Sequence, residues 1–227
     1  MILAAGRGER MRPFSDSLPK ALLPAAGKPL IVWIVENLAA AGFKEIIINH
    51  AHLGNLIESR LGDGASFGVH FAYSPETQAL ETAGGIANAL PLIGEAPFLV
   101  VNADIFCELD LKVLMPKARG MAESGYLAHL VLVDNPEHHP QGDFSLTQSI
   151  VTLKGRHKLT YSGIGLYHPA VFASVARGTK AKLAPLLRTQ IKTGKVSGEH
   201  YRGLWLDVGT PERLDALDSL LRAKAAR

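Results

Sequence analysis

One cysteine, Cys107, occurs in 227 residues. That excludes an internal disulfide and a thiolate metal cluster, and it fits a reducing compartment. No apolar run approaches the roughly 20 residues needed to cross a bilayer, although 47% of the residues are hydrophobic. The first residues carry neither a signal-peptide charge pattern nor a cleavage site, so a cytoplasmic protein is expected. Charge is sparse as well. The net charge is +3, and the lysines and arginines are scattered rather than run together, which argues against a nucleic-acid face. There is no internal repeat and no low-complexity linker. A chain of this length fills one α/β domain that buries roughly three quarters of its unfolded surface, and a second domain would be cramped.

The basic residues that do cluster lie in residues 2–13, ILAAGRGERMRP. Ile2 and Leu3 read as the end of a buried strand. Gly6 and Gly8 can adopt positive φ and let a ligand approach the backbone, because no Cβ intervenes. Arg7, Arg10 and Arg12 therefore sit beside a loop with free N–H groups, which suits a polyphosphate. The spacing Gly6-x-Gly8-x-x-Met11 fails the dinucleotide-binding fingerprint, which needs a third glycine where Met11 stands, and Pro13 argues for a longer loop. Seven residues on, PKALLP holds Lys20 between two prolines that restrict the backbone. Alone, Lys20 reads as a solvated surface lysine; beside the glycine loop it reads as a phosphate ligand.

The pairing of LAAGRGERMRP with PKALLPAAGKPLI resembles the opening of the sugar-1-phosphate nucleotidylyltransferases, the pyrophosphorylases that make nucleotide sugars. Later stretches, LETAGGI, NAD, HHPQGDF, SGEHYRG and LWLDVGTPERL, are most similar to the branch that joins UTP to N-acetylmuramic acid 1-phosphate in bacterial cell-wall recycling. The similarity runs from residue 2 to about residue 221. It implies a single-domain α/β fold, a Rossmann-like mixed sheet of the nucleotide-diphospho-sugar transferase type with helices on both faces and a small β insertion. Residues 1–107 would form the nucleotide-binding half and residues 108–222 the sugar-binding half. Relatives usually carry a few residues more before the loop, so a truncated start is expected. Nothing after residue 221 is expected to form the left-handed β-helix of bifunctional relatives, nor to add acetyltransferase activity.

The rest of the chain alternates strand and helix patterns, the grammar of a doubly wound sheet. PLIVWIVENLAAAGF has helical spacing and stops at Gly42. EIIINH is a strand buried on both faces, residues 53–61 return to helical period, and VHFAY is a strand. A helix begins near Glu81 or Thr82. Gly84 and Gly85 in its first turn cost about 1 kcal/mol each relative to alanine, so they need either a flat base lying on the backbone or tight packing on the sheet, two readings of equal weight. PFLVVNAD is a strand that ends in Asn102 and Asp104 at the edge where open α/β folds bind ligands. From residue 126 the pattern turns to β, with a loop at Pro140-Gln141-Gly142, and LWLDVGT is a strand ending in Asp207 before a helix start at Thr210-Pro211-Glu212.

The resemblance assigns roles to these residues. Arg10, Lys20, Asp104 and Asp207 are the catalytic set. Gly6, Gly8, Glu9, Arg10, Lys20, Glu81, Thr82 and Asn102 hold UTP, with Glu81 and Thr82 at the uracil. Asp207 also contacts the sugar 1-phosphate; Asp143 and Glu199 read either as acceptors for sugar hydroxyls or the acetamido N–H or as surface acids, and Arg202 or His200 is the candidate cation for the lactyl carboxylate. Asp104 and Asp207 share a magnesium ion, which takes oxygen ligands from one or two carboxylates and from substrate phosphates; that they meet is implied by the family, since they are about a hundred residues apart. A phosphate monoester is about doubly ionised at neutral pH, so its attack on the α-phosphorus needs no general base. Cys107 reads as a packed thiol. The pairs His138-His139 and His50-x-His52 lack a third ligand at recognisable spacing. Alternatives are mannose-1-phosphate guanylyl transfer and a catalytically silent nucleotide-sugar-binding subunit; a dehydrogenase is disfavoured. A monomer without nucleic-acid or membrane partners is expected.

Overall fold

The computed structural model describes residues 1–226. The first segments are β1 (Ile2–Leu3), α1 (Phe14–Ser17), β2 (Pro24–Ala25), β3 (Lys28–Pro29) and α2 (Leu30–Ala40). Next come β4 (Glu45–His50), α3 (Gly54–Leu61), β5 (His70–Pro75), α4 (Glu81–Ile93), β6 (Phe98–Asn102) and β7 (Ile105–Cys107). Then follow α5 (Met115–Ser124), β8 (Ala128–Val133), β9 (Ser145–Thr147), β10 (Ile150–Thr152) and β11 (Thr160–Tyr167). The chain closes with α6 (Leu183–Lys192), β12 (Val196–His200), β13 (Trp205–Asp207) and α7 (Pro211–Ala225). These elements group into two compact units that alternate along the sequence.

One unit comprises residues 2–79, 102–110 and, among the described residues, 204–226. Its strands β1, β4 and β5 pair in parallel, with Ile2 opposite Ile48, Leu3 opposite Asn49, and Glu45 to His50 opposite His70 to Pro75. β4 is the apolar run of the sequence, and its Ile46 and Ile48 are buried, as expected for a strand covered on both faces. Helix α2 stops where Gly42 takes φ 92°. The amide of Phe43 bonds the Leu38 carbonyl and that of Gly42 the Ala39 carbonyl, the Schellman arrangement that satisfies the last carbonyls of a helix. A second layer of apolar residues joins Met11, Leu23, Leu30, Phe106, Val208, Leu214 and Leu217. Met11 is fully buried there. The position where a dinucleotide fingerprint would carry its third glycine is thus a core side chain, which anchors the glycine loop from below.

The other unit comprises Met1, Leu80–Val101 and Leu111–Gly203. Here β11 runs antiparallel to β6 and to β8, β12 is parallel to β8, and β10 pairs antiparallel with both β12 and β9. Strands of both senses beside helices bear out the expected mixed α/β class. The β-rich stretch after residue 126 is not all appended: β8 is buried along its length and β11 at every residue but Tyr161, and the short β9–β10 hairpin is its peripheral part. Residues 169–172 form a 3-10 turn. Its Phe172 packs edge-on to Tyr167 at 5.7 Å.

Gly84 resolves one of the open readings. A Cβ there would overlap the Thr179 carbonyl oxygen and lie 3.1 Å from the Ala181 amide. Protein backbone, not a base, occupies the space that this glycine leaves. Gly120, in α5, has nothing within 4 Å of its ideal Cβ. The two alanine substitutions should therefore differ in sign: Gly120→Ala gains up to about 1 kcal/mol of stability, whereas Gly84→Ala loses about 1–3 kcal/mol to overpacking. Urea titrations of the two variants check this; equal effects would contradict the packing.

Candidate active site

The glycine loop and Lys20 are joined directly. Gly8 adopts φ 67°, and its ideal Cβ would come within 3.1 Å of the Lys20 Cβ and 3.4 Å of the Ser15 Cβ. The Ser15 hydroxyl and the Met11 amide both donate to the Gly8 carbonyl, at 2.7 and 2.8 Å. A side chain at position 8 would be doubly unfavourable, through its left-handed backbone and through the lysine stem behind it. The loop's other groups stay open. Gly6, Arg7, Glu9 and Arg10 are exposed, and among the described residues no hydrogen bond or ion pair engages the Arg7 or Arg10 side chains.

Lys20 is 9% exposed and sits in a 3-10 turn, Lys20–Leu22. Its ammonium donates to Asp104 Oδ2 at 2.6 Å. Asp104 occupies the turn between β6 and β7, two residues after Asn102, the last residue of β6. Strand β7 pairs antiparallel with β13, placing Asp207 opposite Ile105, and the Val208 amide donates to the Asp104 carbonyl at 2.8 Å. This short ladder brings together two acids a hundred residues apart. Asp207 in turn accepts from Arg213 Nη1 at 2.8 Å. A continuous line runs from the glycine loop through Lys20 and Asp104 to Asp207 and Arg213.

The donor chemistry fits a small hard cation. Two carboxylates on adjacent strand ends offer the oxygen pair that magnesium takes when substrate phosphates complete its shell. Among the described residues no three His, Cys, Asp or Glu side chains gather into a metal site, so an ion here would rest on this pair and on substrate oxygens. Cys107 is not a competing nucleophile. Burial pushes its thiol up to about 11, so at neutral pH it is protonated and weakly reactive. His50 serves the fold, its Nε2 lying 2.7 Å from Glu58 Oε1.

The remaining sequence candidates lie in the other unit. Glu81 opens α4, exposed and with φ 63°, a conformation that costs a non-glycine residue roughly 1–2 kcal/mol. The amides of Ala83 and Gly84 both donate to the Ala181 carbonyl, at 2.9 and 3.1 Å. Part of the helix's first turn is thereby capped by its own unit, with Glu81 exposed and Thr82 half-buried. Asp143 accepts the Tyr161 amide at 2.8 Å and lies 3.2 Å from His139 Nε2; it ties the 134–144 loop to β11. Glu199 meets the Lys117 ammonium at 2.7 Å. His200 contacts Asp134 at 2.9 Å, and Arg202 Nε donates to His200 Nδ1 at 3.4 Å.

Two groups escaped the sequence reading. Arg213 stands in the first turn of α7, where the helix dipole disfavours a cation; that misplacement was the available signal that it has an acid to hold. Asn49 is a polar residue inside an apolar run, and it is 2% exposed. Its Oδ1 accepts the Ala4 amide at 2.9 Å while its Nδ2 donates to Glu76 at 2.6 Å. It thus extends the β1–β4 ladder one residue past the strand end and fixes where the glycine loop begins.

A glycine-lined cationic loop, a buried lysine and two acids on paired strand ends thus occupy one place in the fold. Residues 1–223 match the family model described as nucleotidyl transferase, and the chain belongs to that family. It is 52% identical over 227 residues to the N-acetylmuramate alpha-1-phosphate uridylyltransferase of Neisseria meningitidis serogroup B, covering 98% of each chain. The enzyme of the same name from Caulobacter vibrioides is 34% identical, with 97% of this chain and 96% of that one covered. A solved structure from Bacillus anthracis, described as a glucose-1-phosphate thymidylyltransferase, shares the fold with a TM-score of 0.83 at 24% identity, covering 97% of this chain and 94% of that one.

Glu199 offers a pH test. The polar edge of His129, 3.8 Å away and beyond hydrogen-bond reach, and the Lys117 ammonium hold its carboxyl below the ordinary 4.5, against the opposing effect of burial. A carboxyl with a lowered folded-state pKa stabilises the fold above its unfolded pKa and loses that contribution as pH falls through the folded value. The stability gap between the parent chain and Glu199→Gln should be full at pH 6 to 7 and should close progressively as pH drops below about 4.5. Urea midpoints across that range measure it; a gap independent of pH would refute the assignment.

Proposed function

We propose that this chain transfers the uridylyl group of UTP to N-acetylmuramic acid 1-phosphate and releases pyrophosphate. The sugar and the base are supported by the two relatives of that name. The observation that carries the chemistry is the direct contact of Lys20 with Asp104, one backbone bond away from the strand end that bears Asp207.

An oxygen of the sugar phosphate attacks the α-phosphorus, and the bond from that phosphorus to the bridging oxygen of the β-phosphate breaks. The nucleophile is already ionised, so the chain's task is alignment and charge neutralisation. Lys20 has three donors; one is fixed on Asp104, leaving two for the α-phosphate and the incoming phosphate. Arg10 and the amides of residues 6–10 face the β- and γ-phosphates, whose charge grows as pyrophosphate leaves, and Gly8 lets the loop close on Lys20. Glu9 and Asn102 flank this cradle. Magnesium held by Asp104 and Asp207 supplies further charge neutralisation on the phosphate oxygens.

Glu81 and Thr82 read the uracil, a role that gives the strained backbone at Glu81 a reason. Asp143 and Glu199 keep lone pairs beyond their internal bonds and accept from sugar hydroxyls or the acetamido N–H. Arg202, whose Nε donates to His200 Nδ1, turns its guanidinium fork to the lactyl carboxylate. The reading carries with it a monomer acting in the cytoplasm on salvaged peptidoglycan sugar. No helix of the described residues is long and apolar enough to cross a membrane.

A pyrophosphate-release assay over UTP and GTP, each with the 1-phosphates of N-acetylmuramic acid, N-acetylglucosamine and mannose, tests the assignment. Turnover should be greatest with UTP and the muramic acid sugar; preference for GTP and mannose would replace this reading with guanylyl transfer, and no turnover in any pair would leave a binding subunit. Lys20→Met should lower kcat about 100- to 1,000-fold, as loss of one charge-stabilising donor does elsewhere. Arg202→Ala should weaken the muramic acid substrate more than the glucosamine one, and an equal loss on both sugars would remove Arg202 from the lactyl site.

A further inference from the structure

Gly209 lies between Asp207 and the start of α7 and has no left-handed φ, so its backbone does not call for glycine. The space beside it does. An ideal Cβ at position 209 would overlap Arg213 Nη2 and come within 3.0 Å of both Arg213 Cζ and Asp207 Oδ1. The guanidinium fills the volume that a side chain would occupy, and from there its Nη1 reaches Asp207 Oδ2. Both side chains are largely withdrawn from solvent, at 22% and 24% exposure. The stem of Arg213 is fixed because it rises from the first turn of α7, which Pro211 opens.

We propose that Arg213 is a positioning residue for Asp207: seated on the ledge that Gly209 provides, it sets the carboxylate's orientation toward a divalent cation shared with Asp104. The proposal rests on the metal reading of Asp207 given above. A cation this close to a metal ligand does two opposing things. Its charge competes with the ion, and its hydrogen bond removes the rotational freedom the ligand would otherwise lose on binding. Outer partners that orient a ligand typically change metal affinity or activity by about 10- to 100-fold when removed, so orientation is the effect expected to prevail.

Gly209 makes the idea separable from a general loss of fold. The atom that a new methyl would meet first is the tip of a flexible side chain, so Gly209→Ala should dislodge the guanidinium and leave the backbone in place. Manganese binding in the presence of UTP, followed by the free-ion electron paramagnetic resonance signal, is measured for Gly209→Ala, Arg213→Met and the double variant, beside kcat and KM and urea unfolding in EDTA. Arg213→Met and Gly209→Ala should each weaken manganese binding and lower kcat about 10-fold or more, with KM for UTP within about threefold. Because both act through one contact, the double variant should match Arg213→Met within about twofold. Multiplying effects, or an Arg213→Met protein with unaltered manganese affinity, would overturn the proposal. If Arg213→Met does not fold, Gly209→Ala alone decides: unchanged manganese binding refutes it. Asp207→Asn separates the two layers. Manganese affinity untouched by Asp207→Asn removes the metal reading itself; affinity lost there and kept in the other variants removes only the role of Arg213.

Discussion

A backbone hydrogen bond, Val208 amide to Asp104 carbonyl, holds the site together more than any side-chain contact does. It continues the three-residue ladder between β7 and β13 and thereby decides that an acid from the middle of the chain and one from near its end share a location. Such a ladder is too short to be stable alone. Its support comes from Phe106 and Val208, which are buried with Met11, Leu214 and Leu217 in one apolar cluster. The core that fixes the glycine loop from below is therefore the core that fixes the acids, and loop and acids cannot shift independently.

Much of this was legible in the residues. EIIINH, PFLVVN and the helix ending at Gly42 announce themselves by period and cap, and the structure places them within a residue or two of those bounds. Long apolar strands and glycine-capped helices obey local physics, so a local reading suffices. The meeting of Asp104 and Asp207 is different in kind. No local feature of NAD or LDVGT says which other strand each will pair with, and only resemblance to a family could join them in advance. Gly84 shows the complementary failure. Its cost to the helix was visible, but whether a base or a peptide filled the space depended on residues 179–181, nearly a hundred positions away.

The acids Asp143 and Glu199 illustrate how a sequence overstates availability. An acid in a loop or after a glycine looks free to bind a ligand. In the structure each holds part of its own unit, Asp143 by tying a loop to β11 and Glu199 by joining α5 to β12. A buried or half-buried carboxylate must be partnered to be tolerated, and its partners come from elsewhere in the chain. A ligand role for either residue therefore adds to a folding role and does not replace it.

Charge balance gives the site its last constraint. Both acids face a cation, Asp104 meeting Lys20 and Asp207 meeting Arg213, so their negative charge is offset before any substrate arrives. Two carboxylates side by side without those partners would repel. In the proposed reaction, the charge of the triphosphate and sugar phosphate would fall on the cations outside these pairs, Arg7 and Arg10 at the loop and the remaining donors of Lys20. The division follows from position: Lys20 and Arg213, withdrawn from solvent, pair with the acids, and Arg7 and Arg10 stand exposed on the glycine loop.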